Sequence, residues 1–509
     1  MRKGHVTSAD SRKARKYAVL ALRSVKNSCR QRVLPRRVVG ASLAFSLLIS
    51  GCAVGPNYVR PKANVPSEFR GDSQAAQQAS IADLPWWELF KDERLKELVQ
   101  ISLTNNYDLR IAVSRIEQSR QIAAQARAQY FPFVNYSSSG SYGKNEFVGT
   151  VAPNGGNTRG AFFGAATVAW EADVWGRLRR LNESARAQYL ATEEARRGVM
   201  LSLVSDVAQT YFQLLGLELQ LEIARETTES YSDTLKLFNQ RLEGGIASKL
   251  DTSRAAAARA TAASNIPELE RQIALTENQL SVLLGNNPSE IVHTAKLLDE
   301  IVPPDVPAGL PSALLERRPD VLQAEQLLRS ANAQVGVATA NFFPQIGLTA
   351  LLGQASSPLS ALTAGQSNVW SLAGNVAGPI FQGGALKAQQ RQAIAFWEQS
   401  KLQYEQTALN AFLDVSNALI SREKFEETRV EQTAAVEAYR EAVKVSLQRY
   451  TAGRAGYYEV LESQQLLYPA EIELAINELN RRIVIVQLYK ALGGGWNLQN
   501  PAAWRGPKP

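Results

Sequence analysis

Histidine, cysteine and methionine are each nearly absent: the 509 residues hold two of each. His5, Cys29 and Met1 lie in a basic leader, which leaves His293, Cys52 and Met200 for the rest of the chain. One cysteine excludes a disulfide, one histidine beside it excludes a His/Cys metal cluster, and one methionine leaves a copper relay without ligands. Nothing after the leader reaches the roughly 18 apolar residues of a transmembrane helix. Gly244 to Lys249 has a Gly-Gly and a lysine but not the spacing of a phosphate loop, so the chain has no means of energising transport. Glu171 and Asp173 alternate near the end of a strand and read as its exit toward water, and His293 reads as a solvated loop residue. No catalytic, cofactor-binding or metal-binding set is expected.

The basic excess is also local. The whole chain carries +8, but residues 1–51 hold 12 Lys and Arg against the single acid Asp10, leaving 44 basic and 47 acidic side chains beyond them. Nucleic acid is therefore not an expected partner. The leader joins its basic region to an apolar run from Val38 to Ile49, as a secretory signal does. It ends at Ile49-Ser50-Gly51-Cys52, which resembles the lipobox of bacterial lipoproteins and predicts lipidation of Cys52. Three acyl chains there would hold firmly where one binds only marginally.

Proline is missing from Arg177 to Glu243, a stretch of 67 residues rich in Ala, Leu, Glu, Gln and Arg. Nothing interrupts a helix of roughly 100 Å. Met200, Leu203, Val204, Val207, Tyr211, Leu214 and Leu215 recur at helical spacing, an apolar stripe that requires neighbouring helices. A second copy supplies some of them: Asp206-Val207 returns as Asp414-Val415, Gln240-Arg241 as Gln448-Arg449 and Leu284-Gly285 as Leu492-Gly493, each 208 residues later. The constant offset predicts a duplicated long helical hairpin.

In chain order the sequence divides into a leader (1–51), an extended segment with Pro56, Pro61, Pro66 and Pro85 (52–85), and two helices opening at Trp86-Trp87 and at Tyr107 (86–131). A strand hairpin (132–175) leads to the first long hairpin (176–285, tip near 244–248). A linker and helix (286–341) precede the second strand hairpin (342–382), the second long hairpin (383–493, tip near 452–457) and a tail (494–509). The strands are expected over Phe133–Gly143, Ala161–Val174, a run through Ile346 and Leu352, and Val369–Phe381. Val134, Tyr136 and Tyr142 alternate with Asn135, Ser137, Ser139 and Ser141, at the length a tilted membrane strand requires. Here the repeat offset is 212 rather than 208, so the strand hairpins absorb the difference. Four strands cannot lie in hydrocarbon with open edges, so the barrel must be shared between chains; two copies would leave little lumen, while three give room for a pore.

At the tips, Gly244, Gly245, Gly453 and Gly456 are expected to reverse the chain, and Asp251 and Glu459 stand in the first turns of the returning helices. Glu459 and Glu462, three apart, face one way, and threefold symmetry would make them acidic rings. Pro267 and Pro469 interrupt the returning helices' hydrogen bonding and are expected to bend them, unless those helices are shorter.

The lipobox, Val54-Gly55-Pro56-Asn57-Tyr58, the duplicated strand-and-helix plan, both tips and Ala491-Leu492-Gly493-Gly494-Gly495-Trp496 together resemble the outer-membrane factor (TolC-like) family, in particular its NodT-type lipoprotein branch. The resemblance implies an α+β membrane protein. Its trimer would share a 12-stranded outer-membrane barrel, with long periplasmic helical hairpins and an equatorial helical belt. It implies a passive exit duct in the outer membrane, fed by a periplasmic adaptor and an inner-membrane resistance-nodulation-division (RND) pump that export small molecules. By position, Asp251, Tyr450, Glu459 and Glu462 match the family's gate. Arg454 lies one residue before the usual linking arginine, where this chain has Ala455. A duct for type I protein secretion shares this architecture, and a periplasmic coiled-coil lipoprotein adaptor would account for the helices and lipobox but not the strands.

Overall fold

The computed structural model describes residues 53–62, 64–71, 92–144, 158–299, 309 and 311–494. All but Ala53 belong to one unit, Val54–Pro509. The leader, Cys52, residues 86–91 and the tail from Gly495 lie outside the described residues. In order come α1 (Glu93–Asn105), α2 (Tyr107–Ala128), β1 (Phe133–Lys144), β2 (Thr158–Ala172), α3 (Arg177–Glu243) and α4 (Lys249–Leu283). After a linker follow α5 (Pro311–Arg317), α6 (Pro319–Ala340), β3 (Gln345–Ser356), β4 (Asn368–Ala377), α7 (Ala385–Thr451) and α8 (Tyr457–Ala491).

The repeat is kept to the residue. Helices α3 and α7 have 67 residues each, α4 and α8 have 35 each, and α2 and α6 have 22 each. The predicted stripe on α3 is buried throughout, and its counterparts Ala408, Ala411, Phe412, Val415 and Leu419 on α7 enter the same core. Leu280 and Leu488, again one repeat apart, are both fully buried. Each long helix starts after a left-handed glycine, Gly176 (φ 78°) or Gly384 (φ 87°), a conformation a β-carbon disfavours. Two acids complete the first start: Asp173 accepts from the amides of Leu178 (2.9 Å) and Arg179 (3.0 Å), and Glu171 accepts from Arg177 at 3.0 and 2.7 Å. They do not simply lead the strand into water; they brace the strand-to-helix joint just where β2 ends at Ala172.

The sheet is antiparallel in the order β1-β2-β3-β4. Its register aligns Val134 with Val168, Trp170 with Leu348, and Ala350 with Leu372. One face therefore gathers Val134, Tyr136, Tyr142, Phe162, Val168, Trp170, Ile346, Leu348, Leu352, Trp370, Leu372 and Val376. The other carries Asn135, Ser137, Ser139, Ser141, Thr167, Thr349, Ser371 and Asn375 among alanines and glycines, with Phe163 and Leu351 its larger apolar members in mid-strand. Strand β4 ends at Ala377, short of the expected Phe381, because Pro379 cannot donate to the ladder.

Residues 54–60 run across α3 and α6 rather than folding alone. Val54 donates to the carbonyl of Trp175 (3.0 Å). Arg180, buried, donates to the carbonyls of Val54 and Gly55 (both 3.2 Å) and to Asn57 (2.8 Å). Asn332 donates to the carbonyl of Pro56 (2.9 Å), and Arg60 pairs with Glu325 (3.1 Å). The strap crosses where Gly55 (φ 92°) meets Gly336: a β-carbon on Gly55 would lie 2.5 Å from the Gly336 Cα.

Both internal prolines are accommodated: α4 and α8 continue through Pro267 and Pro469. They are not repeat equivalents, since 208 residues beyond Pro267 is Ala475. Each removes one amide donor from its own ladder at a different height.

Candidate functional site

The two tips close with the same backbone device and then diverge in side chains. In the first, Ile246 donates to the carbonyl of Arg241 (2.8 Å) and Gly245 to that of Leu242 (2.9 Å). In the second, Arg454 donates to Arg449 (2.8 Å) and Gly453 to Tyr450 (3.0 Å). These paired bonds form a Schellman motif, whose left-handed residue is Gly245 (φ 75°) or Gly453 (φ 71°). Gly244 (φ −77°) and Gly456 (φ −80°) do not take that role. Gly244 follows the last turn of α3, and Gly456 is the N-cap of α8, where the first repeat has Ser248.

That difference separates Asp251 from Glu459. Asp251 completes a capping box: its carboxylate accepts from the Ser248 amide (3.2 Å) and hydroxyl (2.7 Å), while its own amide donates to the Ser248 hydroxyl (3.2 Å). Glu459 has no such partner and faces Arg449 at 3.4 Å. Glu462, one turn further along α8, is exposed and makes no ion pair among the described residues. Arg454 is exposed as well, and its side chain is not brought to Tyr450 or to either acid.

Tyr450 is almost fully buried, in a small core with Phe238, Ala255, Tyr457, Val460 and Leu461. The Phe238 ring centre lies 5.1 Å from that of Tyr450 and 4.2 Å from that of Tyr457. Burial pushes the Tyr457 phenol up to about 12, and its hydroxyl has no hydrogen-bond partner among the described residues. The tip is therefore an apolar plug edged with charge. Phe238, Arg241 and Tyr457 escaped the sequence reading. Gln240-Arg241 was visible as a repeat of Gln448-Arg449, but its partners lie across the fold. Phe238 corresponds to Ser446 in the other repeat, so the duplication conceals it.

His293 is not solvated. Its Nε2 lies 3.0 Å from Glu218 Oε1 and its Nδ1 3.2 Å from the carbonyl of Ala295, with its ring edge-on to Tyr211. The bond to Glu218 raises its pKa, against the opposing effect of burial. Ile291 donates to Glu277 (2.9 Å), and Lys296 pairs with Glu222 (2.9 Å). The linker is thus tied to both α3 and α4. Among the described residues no group of three His, Cys, Asp or Glu is placed to hold a metal ion.

A sheet with one apolar and one polar face, carrying helices about 100 Å long, defines a membrane duct with an extended helical arm. Residues 98–286 and 310–494 match the outer membrane efflux protein family. The toluene efflux pump outer membrane protein TtgC of Pseudomonas putida is 34% identical, over 91% of this chain and 96% of its own. The cation efflux system protein CusC of Escherichia coli K12 is 33% identical, over 88% of this chain and 98% of its own. Among solved structures, the outer-membrane channel OprN superposes with a TM-score of 0.82 at 29% identity, covering 87% of this chain and all of that one. The open-state MtrE outer membrane channel of Neisseria gonorrhoeae gives 0.79 at 29% identity, covering 87% and 98%. The chain belongs to the outer membrane efflux protein family and is an efflux channel of the outer membrane.

Proposed function

We propose that three copies of this chain form the passive exit duct of an RND-type tripartite efflux system, exporting small molecules through the periplasm and outer membrane. The observation that carries this reading is the sheet. Strands β1 and β4 have no further partner strand among the described residues, while Tyr136, Leu352, Trp370, Leu372 and Val376 stand exposed on one face. Unpaired edge amides are too costly in hydrocarbon, and further copies of the chain satisfy them. Three copies give twelve strands with the apolar face toward lipid and the Ser/Thr/Asn face toward water. Helix α7 supports the same arrangement, with exposed Leu402, Leu409, Leu413 and Val430, unlike the well-covered stripe of α3. Such a row calls for neighbouring helices.

On this reading the tips form the periplasmic entrance. Tyr450, Asp251, Glu459 and Glu462 line or brace it, and a periplasmic adaptor engages it on behalf of an inner-membrane pump. Cys52 is the lipid attachment point, two residues before the strap that begins at Val54. A protein-secretion duct draws no support from the relatives, whose names concern solvents, antibiotics and cations. An adaptor without a channel has no use for a two-faced sheet.

The test is planar-bilayer current from the purified mature protein, with its mass by light scattering. A trimer carrying small, cation-biased current supports the duct and its acidic entrance. A monomer silent under every condition sinks the reading.

A further inference from the structure

Arginine stands at the same place in both repeats, Arg241 and Arg449, and does two different things. Arg449 stays within its own hairpin and faces Glu459 at 3.4 Å. Arg241 leaves its hairpin. Its guanidinium lies over the Tyr450 ring, 4.3 Å from the centroid, and its Nη1 and Nη2 reach the carbonyls of Tyr450 (3.5 Å) and Thr451 (3.4 Å). Tyr450 and Thr451 are the last two residues of α7, where the helix dipole favours a cation; the Tyr450 carbonyl already accepts from Gly453, so the guanidinium adds a second donor there and reaches the Thr451 carbonyl beside it. The planar fork therefore serves ring and helix end at once, which a lysine cannot do. Tyr450 also meets Phe238, from the same helix as Arg241.

We propose that Arg241 is the clasp that holds the two hairpins of one chain together at their tips. This rests on reading the tips as the entrance, and it assigns the linking role to Arg241 rather than to Arg454, which is exposed and whose side chain meets neither Tyr450 nor a carboxylate among the described residues. Opening then begins with withdrawal of the guanidinium from Tyr450, which frees the α7 end to swing away from α3. Arg241 is a positioning residue: it acts through Tyr450 and touches no cargo.

The experiment compares single-channel conductance of the full mature protein with Arg241→Ala, Arg241→Lys, Arg449→Ala, Tyr450→Leu and the Arg241→Ala/Tyr450→Leu double variant. Hydrogen exchange is followed at the amides of Gly245, Ile246, Gly453 and Arg454. Arg241→Ala is expected to raise conductance several-fold and to speed exchange at both tips by about five- to tenfold, the scale of one half-buried cation–π contact. Arg241→Lys should fall between it and the wild type, and Arg449→Ala should fall short of it. The double variant should match the larger single effect, because the two residues make one contact. Additive effects, or Arg241→Ala with wild-type conductance and exchange, would overturn the clasp. If the wild type passes no current, the entrance reading fails on its own; exchange at the tips then decides the clasp, and unchanged exchange in Arg241→Ala overturns it.

Discussion

Replacing Gly336 with alanine tests whether the N-terminal strap is built into the wall of the helices. Gly336 lies inside α6, where glycine costs about 1 kcal/mol relative to alanine. An exposed helix would gain that amount from the change. Here a β-carbon would sit 2.8 Å from Arg180 Cγ and 2.9 Å from its Cδ and Nε. Arg180 cannot step aside cheaply, because it is buried and donates to Val54, Gly55 and Asn57. Overpacking of this kind costs about 1–3 kcal/mol, and one lost charge-assisted hydrogen bond adds about 1.5–3. Subtracting the helix gain leaves a local loss of about 1.5–5 kcal/mol, or about ten- to several-thousandfold easier opening of the strap. Hydrogen exchange at the Val54 amide, which donates to the Trp175 carbonyl, reads this in detergent. Gly198→Ala on α3 is the control, since its nearest neighbour would be Pro319 Cβ at 3.9 Å, and it should stabilise by up to about 1 kcal/mol. If both variants exchange like the wild type at the strap, the Gly55–Gly336–Arg180 packing does not hold it.

Three further outcomes are expected. His293 should titrate above the ordinary value of about 6.5, so its pair with Glu218 contributes fully below that pH and is lost as pH rises through the raised value. With the leader removed it is the sole histidine, so one labelled-histidine NMR signal reports it; a midpoint below 6.5, or no downward move in Glu218→Gln, would contradict the assignment. Tyr211→Phe removes a buried 2.6 Å bond to Asp92, which also caps α1, and should cost about 1.5–3 kcal/mol in denaturant unfolding; an unchanged midpoint would show that the carboxylate finds another donor. At the tips, Glu462→Gln should lower cation preference in reversal-potential measurements with stability intact, whereas Asp251→Ala should cost about 1 kcal/mol through the lost cap. Equal potassium and chloride permeability in the wild type would remove the acidic filter from the account.

Sequence by itself determined what depends on near neighbours and on period. The absence of proline from 177 to 243 and the stripe from Met200 to Leu215 define α3, whose observed limits are those expected. The offset of 208 defines α7 and α8, and alternation marks the two faces of the sheet, because each pattern is written within one element. Tertiary structure alone decided which side chains meet across elements. Arg241 finds Tyr450 from 209 positions away, His293 finds Glu218 from 75, and Arg180 finds Val54 from 126. The repeat even misleads at such places, since Asp251 and Glu459 are equivalent by position, yet one is closed into a cap by Ser248 while the other, behind Gly456, is left to an arginine. Local pattern records propensity and burial; which partner sits opposite is set by how the helices pack, and a single glycine or serine at a cap changes that without disturbing the period.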